Sequence, residues 1–150
     1  MSKASLVHPS WYQIDKGTAF LSLQVLKDDH FHPKAIIGLA RGGLVPAVIM
    51  SHLLEIKMFP VSYSSKKGNG EYKAYENVLP AFPVTWDILI VDDICDTGYT
   101  MREVNDFYRE AGHVTKTATL YHKEGAVITP NFVWQSIPKD ANWIEFPWEL

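Results

Sequence analysis

The sequence predicts an α/β domain built on a mainly parallel sheet with helices on both faces. Three observations carry this expectation. Short aliphatic runs alternate along the chain with segments of helical periodicity. The longest aliphatic run, Ile88 to Val91, ends in charged and hydroxyl residues, "ILIVDDICDTGYTM". At 150 residues the chain is long enough for one hydrophobic core and short for two, so a single domain over 1–150 is expected.

The elements follow in order. Ser10 is a suitable N-cap, and Trp11, Ile14, Phe20, Leu21 and Val25 recur at helical spacing as far as about Lys27. "AIIGL" (35–39) reads as a buried strand, "ARGGLVP" as a turn, and Pro46 suits the first turn of a helix over "AVIMSHLL". A second strand falls around Met58 to Tyr63, where Pro60 removes a ladder donor and points to a sheet edge or bulge. Residues 64–77, "SSKKGNGEYKAYEN", are polar and rich in glycine and lysine, a composition suited to a working loop.

After the strand at Ile88, the residues Met101, Val104, Phe107, Tyr108 and Ala111 lie on one helical face, and Gly112 stands where a glycine ends a helix. "VTKTATLYH" (114–122) alternates as a strand does, and "FVWQSI" (132–137) reads as another.

Composition narrows the function. A hydrophobic fraction of 47% with 21% charged residues is that of a globular protein. No apolar run approaches the ~20 residues needed to span a bilayer, and the N-terminus lacks a secretory core, so no integral membrane segment and a cytoplasmic location are expected. The net charge of -3 gives no general pull toward nucleic acid. The single cysteine, Cys95, allows no intrachain disulfide and no cysteine zinc cage. Between acids its thiol is a packing group rather than a nucleophile. His30 and His32 show no third metal ligand in sequence and read as loop residues. A small-molecule site is the expectation.

On parallel sheets, ligands bind at the carboxyl ends of strands. There Asp96-Thr97-Gly98-Tyr99-Thr100 leads straight into a helix, where free N–H groups, two hydroxyls and the positive end of the helix suit a phosphate. The same residues could serve only as a cap and a turn. Asp92 and Asp93 can accept from vicinal hydroxyls or hold a hydrated magnesium ion. A diol or metal site beside a phosphate cradle describes a phosphorylated ribose. Neither the P-loop nor the dinucleotide fingerprint is present.

"ILIVDDICDTGYT" resembles the signature of type I phosphoribosyltransferases, which bind 5-phosphoribosyl 1-pyrophosphate (PRPP). "ARGGLVP", "YHKEGA" and "NWIEFPWE", in that order, are similar to segments of the bacterial xanthine-guanine branch. The resemblance implies the type I fold, with a small hood built partly from the C-terminal segment. It further implies transfer of the phosphoribosyl group from PRPP to a 6-oxopurine (guanine, xanthine or hypoxanthine), Mg2+ as cofactor, and a homodimer or homotetramer.

By the same resemblance Arg41 and Gly42 form the pyrophosphate loop, whose peptide in this family is often cis. Asp92 and Asp93 face the ribose and its metal, with Asp93 the better metal ligand. Asp96, Thr97, Gly98, Tyr99 and Thr100 hold the 5′-phosphate. Asp96 is also placed near purine N7 as general base, Lys123 at the 6-oxo group, Trp143 stacked on the base, and Ile144 at the ring edge. For Trp148 core packing is the preferred reading. Lys73 is matched to a basic loop residue that reaches the phosphates, with Lys66 and Lys67 as rivals. The Ser-Tyr pair of the family corresponds to Ser62-Tyr63 or to the neighbouring Ser64-Ser65. Residues 64–77 would act as a lid. Two alternatives are a PRPP- or nucleotide-sensing regulatory protein without turnover, and a phosphoribosyltransferase for a pyrimidine or another acceptor.

Overall fold

The computed structural model describes residues 7–67 and 79–149. Helix α1 (Trp11–Leu26) starts with a capping box, in which Ser10 and Gln13 each satisfy the other's backbone N–H. Strand β1 (Ala35–Leu39) is buried throughout. Helix α2 (Leu44–Leu54) takes Pro46 in its first turn, where no intrahelical donor is lost. Strands β2 (Lys57–Val61) and β3 (Asp87–Cys95) come next, followed by α3 (Tyr99–Glu110), β4 (Val114–Lys123) and β5 (Phe132–Ile137).

In the described residues all strand pairings are parallel, in the order β2-β1-β3-β4-β5. Pro60 lies on β2, an edge strand, where its missing N–H costs least. Continuous aliphatic runs suit such a sheet because both faces are covered. On one face Leu89 and Val91 pack with Ile14, Leu21 and Val25 of α1 and with Ala47 and Met50 of α2. On the other, Ile88 and Ile90 pack with Met101, Val104 and Tyr108 of α3. Gly17 lets α1 lie close on the sheet, since a Cβ there would meet Leu120 and Trp134 at 2.7 Å.

One boundary differs from expectation in a way that shapes the site. β3 does not end near Val91 but runs on to Cys95, so both acids of the pair are strand residues. Pairing with β1 stops at Gly38↔Val91, whereas pairing with β4 continues to Cys95↔His122. The chain after β1 turns away at this height, and the acids line the notch it leaves. This notch is the crevice between β1 and β3, where the connections from the sheet diverge to either side. At the C-terminal end, Val7 bridges Ile144 and Glu145 N–H donates to the Val7 carbonyl. Residues 141–149 are thereby tied over the ends of β4 and β5, and Phe146 packs on the core.

Candidate functional site

The site is assembled from four turns at the carboxyl ends of the strands. After β1 the peptide between Ala40 and Arg41 is cis. The Arg41–Gly43 turn then passes so close to β3 that positions 42 and 43 have no room for a side chain. A Cβ on Gly42 would lie 1.9 Å from Asp93 Oδ2, and one on Gly43 would lie 2.5 Å from the Leu39 carbonyl and 2.9 Å from Asp92 Oδ1. Neither residue is among those with positive φ. Space, not backbone conformation, requires glycine here.

Period-two alternation along β3 explains how two adjacent acids are accommodated. Asp93, on the side of Leu89 and Val91, lines a cavity of about 640 Å³ with Arg41, Gly42, Trp148 and Glu149. Asp92, on the side of Ile88 and Ile90, lines a smaller cavity of about 130 Å³ with Cys95, Asp96, Thr97, Gly98 and Thr100. Each acid is held by local geometry: Asp92 Oδ1 accepts from Asp93 N–H at 2.9 Å, and Asp93 Oδ1 from Ile94 N–H at 2.7 Å. Burial, and then the charge of Asp93, push the Asp92 carboxyl well above the usual carboxylate range. Asp93 is also raised, mainly by burial. Two acids disfavoured as anions by burial are a site that gains from an arriving cation or hydroxyl pair.

The 130 Å³ cavity lies where the phosphate cradle is expected. Helix α3 begins after Gly98, at φ 85° and ψ -2°, and no side chain caps it. Its first-turn N–H groups have no intrahelical acceptor, the arrangement that suits an anion. Cys95 is buried, and burial followed by the charges of Asp92 and Asp96 pushes its thiol up to about 12, in keeping with a packing role.

An aromatic cleft lies beside the cradle, lined by Ile94, Asp96, Lys123, Ile137, Asn142, Trp143, Ile144, Phe146 and Glu149. Trp143 is 63% exposed, an indole face presented to solvent at the cleft, whereas Ile144 is buried and anchors the backbone through its bridge to Val7. Lys123 Nζ lies 3.3 Å from Asp96 Oδ1. Asp96 lines both the cradle and the cleft and is the wall between them.

The structure therefore brings together Arg41, Gly42, Asp92, Asp93, Asp96, Thr97, Gly98, Thr100, Lys123, Trp143 and Ile144 around three contiguous cavities. Tyr99 opens α3, with its ring under the Arg102 guanidinium at 5.3 Å. Lys73 lies outside the described residues, as do positions 68–77 of the expected lid. His32 serves the loop, its Nε2 lying 3.0 Å from the Asp29 carbonyl. Trp148 stacks on Phe146 at 4.7 Å as core packing requires, and its edge also reaches the Arg41 cavity. Sequence reasoning missed Glu149 and Asn142. Both stand within "NWIEFPWE", so the motif contained them without assigning either a task.

Magnesium suits this donor set. Among the described residues no three His, Cys, Asp or Glu side chains cluster as a full protein cage. Mg2+ asks for less: one or two carboxylates, with waters and substrate phosphates completing the octahedron.

A doubly wound parallel sheet with an acid pair on its central strand and an uncapped helix N-terminus beside it is suited to a phosphorylated sugar. The family model described as "Phosphoribosyl transferase domain" matches residues 10–150, and the chain belongs to that family. A xanthine-guanine phosphoribosyltransferase of Idiomarina loihiensis is 34% identical over 145 residues, covering 94% of this chain and 85% of the relative. One from a Ruegeria species is 33% identical, covering 95% and 85%. Among solved structures, a purine phosphoribosyltransferase of Pyrococcus horikoshii superposes with a TM-score of 0.76 at 29% identity, over 96% of this chain and 94% of that one.

Proposed function

We propose that this phosphoribosyltransferase joins PRPP to a 6-oxopurine, releasing pyrophosphate and forming the nucleoside 5′-monophosphate, as a step of purine salvage. The observation that carries the reading is the Asp96–Lys123 pair at 3.3 Å on the wall between the cradle and the aromatic cleft. A ribose with its 5′-phosphate in the cradle presents C1′ beside that wall. A purine on Trp143 presents its N7 and 6-oxo edge to the same two side chains.

The residues divide the work by chemistry. Lys123 donates to the 6-oxo oxygen and stabilises charge that develops there. Asp96 accepts the proton the base gives up as the bond between C1′ and N9 forms. Meanwhile the bond from C1′ to the pyrophosphate oxygen breaks, and Arg41 with the backbone of Gly42 receives the departing anion. Thr97, Gly98, Tyr99 and Thr100 hold the 5′-phosphate, and Asp92 the ribose hydroxyls. Asp93 is the proposed ligand for magnesium, which neutralises the pyrophosphate when bound. Trp143 orients the base by stacking, at a surface with little to lose on binding. Positioning of this kind accounts for much of the rate when a cation-like sugar must meet its acceptor before water does.

The proposal treats the chain as one catalytic domain, acting as a homodimer or homotetramer in the cytoplasm. Steady-state assays with PRPP, Mg2+ and each of guanine, xanthine and hypoxanthine test it. Pyrophosphate release that depends on one of these bases is the expected result. Release that no base stimulates would move the protein to a sensing role. Turnover with a pyrimidine in preference to all three would remove the purine assignment.

A further inference from the structure

Glu103 stands outside the site described above, one turn into α3 from the cradle. It is half-buried, and residues 38 and 40 positions away converge on it. The Tyr63 hydroxyl donates to one carboxylate oxygen at 3.2 Å, and the Ser65 hydroxyl donates to the other. Ser65 is itself buried, and its oxygen accepts from Lys67 N–H at 3.1 Å. The carboxylate therefore fixes a hydroxyl that in turn fixes the backbone at Lys67. On the far side of residues 68–78 the chain returns to the same helix: the Tyr108 hydroxyl donates to the Pro80 carbonyl at 2.8 Å, and Phe82 lies 6.0 Å from the Tyr108 ring.

A carboxylate is a poor choice for this place unless its hydrogen bonds matter. Helix N-termini attract anions, and a negative side chain within the first turns competes with a phosphate for that field. A neutral acceptor would tie down Tyr63 and Ser65 without that penalty. A carboxylate, however, accepts two hydroxyls at once, one on each oxygen, and such charge-assisted bonds are roughly twice as strong as neutral ones.

We propose that Glu103 is a positioning residue for PRPP: by gripping Tyr63 and Ser65 it holds the exit from β2 against the phosphate helix, so that Lys66 and Lys67 are presented at the phosphate end of the site. The lengths of the helix turn and of a lysine stem allow this. Glu103 is four residues from the start of α3, an axial rise of about 6 Å, and the four-carbon stem of a lysine spans a comparable length. Both lysines are exposed. The inference rests on the phosphoribosyltransferase reading for its substrate, and on the hydrogen bonds alone for its anchor.

The test compares wild type with Glu103→Ala, Glu103→Gln, Ser65→Ala and the Glu103→Ala/Ser65→Ala double variant in two assays. In steady-state kinetics Glu103→Ala is expected to raise KM for PRPP about tenfold or more, with purine KM and kcat little changed. Glu103→Gln, which keeps one acceptor, recovers part of the loss. Ser65→Ala adds little on top of Glu103→Ala, because both remove one contact. In limited proteolysis, cleavage by trypsin after Lys66 or Lys67 is expected to be at least tenfold faster in Glu103→Ala than in wild type, a readout that needs no turnover.

The opposite sign overturns the proposal. A bystander carboxylate near a phosphate site only repels, so its removal would leave PRPP KM unchanged or lower it. An equal rise in both KM values with a fallen Tm would make Glu103 merely structural. Wild-type protein that consumes no PRPP with any purine removes the function reading and with it the PRPP role. Unchanged tryptic cleavage would remove the anchor.

Discussion

Gly42→Ala tests the geometry of the site more directly than removal of any charged group, because its effect follows from a single distance. The added methyl would lie 1.9 Å from Asp93 Oδ2, 2.6 Å from its Cγ and 3.1 Å from Oδ1, against 3.4 Å for an ordinary contact. Something must therefore move by 3.4 − 1.9 = 1.5 Å. The Asp93 carboxylate is the part free to yield, since it faces the 640 Å³ cavity, but rotation takes Oδ1 away from the Ile94 N–H it accepts from at 2.7 Å.

Overpacking costs about 1–3 kcal/mol, and an open cavity beside the strained group argues for the low end. For a chain of this size that corresponds to a Tm lower by roughly 2–4 °C. Catalysis should suffer far more, because a displacement of ~1 Å in a positioning group costs on the order of 10²-fold. Thermal unfolding, together with kcat/KM for PRPP at saturating purine and Mg2+, measures both. Gly43→Ala supplies the contrast: its methyl meets the Leu39 carbonyl at 2.5 Å and the Val91 carbonyl at 2.9 Å, backbone atoms that cannot swing aside. It should lose stability as well as activity. A folded Gly42→Ala enzyme with kcat/KM within threefold of wild type would refute the reasoning. So would a Tm drop as large as that of Gly43→Ala, because the turn and not the carboxylate would then be yielding.

Other outcomes follow from the same geometry. Asp96→Asn should lower kcat by about 10²–10⁴-fold if the carboxylate takes the base's proton; its ion pair with Lys123 is partly exposed and worth at most ~1 kcal/mol, so a near-normal Tm is expected, and wild-type turnover would end that role. Trp143→Ala should raise purine KM about tenfold, within the ~1–3 kcal/mol of base stacking on an aromatic ring, and leave Tm unchanged because the indole is 63% exposed. Stability should also respond to pH through Asp92. Its carboxyl sits well above 3.8 in the folded protein, so the favourable contribution is complete below 3.8 and is lost as pH rises through the folded value. In metal-free buffer the Tm advantage of Asp92→Asn over wild type should therefore widen from pH 4 to pH 8, and a constant difference would show that Asp92 does not titrate this way.

What could be read from the sequence was what is local. The N-cap at Ser10, the glycine stop at Gly112, where φ is 95°, and the buried strands all depend on neighbours within a few residues. The Asp92–Thr100 segment is similar: one strand end and one helix start carry most of the cradle, so spacing along the chain is nearly spacing in space. Where the aliphatic run stopped, however, polarity suggested a loop, and the strand in fact continues. Hydrogen bonds to β4 and the two carboxylate-to-backbone bonds outweigh the low strand propensity of aspartate. Glu103 was not legible at all, and Glu149 only as a member of a motif that gave it no task. Each looks like an ordinary acid until the fold brings Ser65 to one and Arg41 to the cavity beside the other.

Asp96 shows how structure can remove one of two roles that sequence leaves open. A residue two positions before Gly98, in a turn feeding a helix, is placed to cap it, and a cap would consume both the carboxylate and a first-turn donor. Instead α3 starts at a glycine without a side-chain cap, and the carboxylate turns to Lys123 on β4. The two facts depend on each other. Because Asp96 does not cap the helix, the first-turn N–H groups remain available to a phosphate; because it pairs with Lys123, an acceptor and a donor stand side by side at the edge of the aromatic cleft. One turn thus lines two neighbouring cavities, and a substitution at Asp96 that breaks its pairing with Lys123 would be expected to disturb the wall they share.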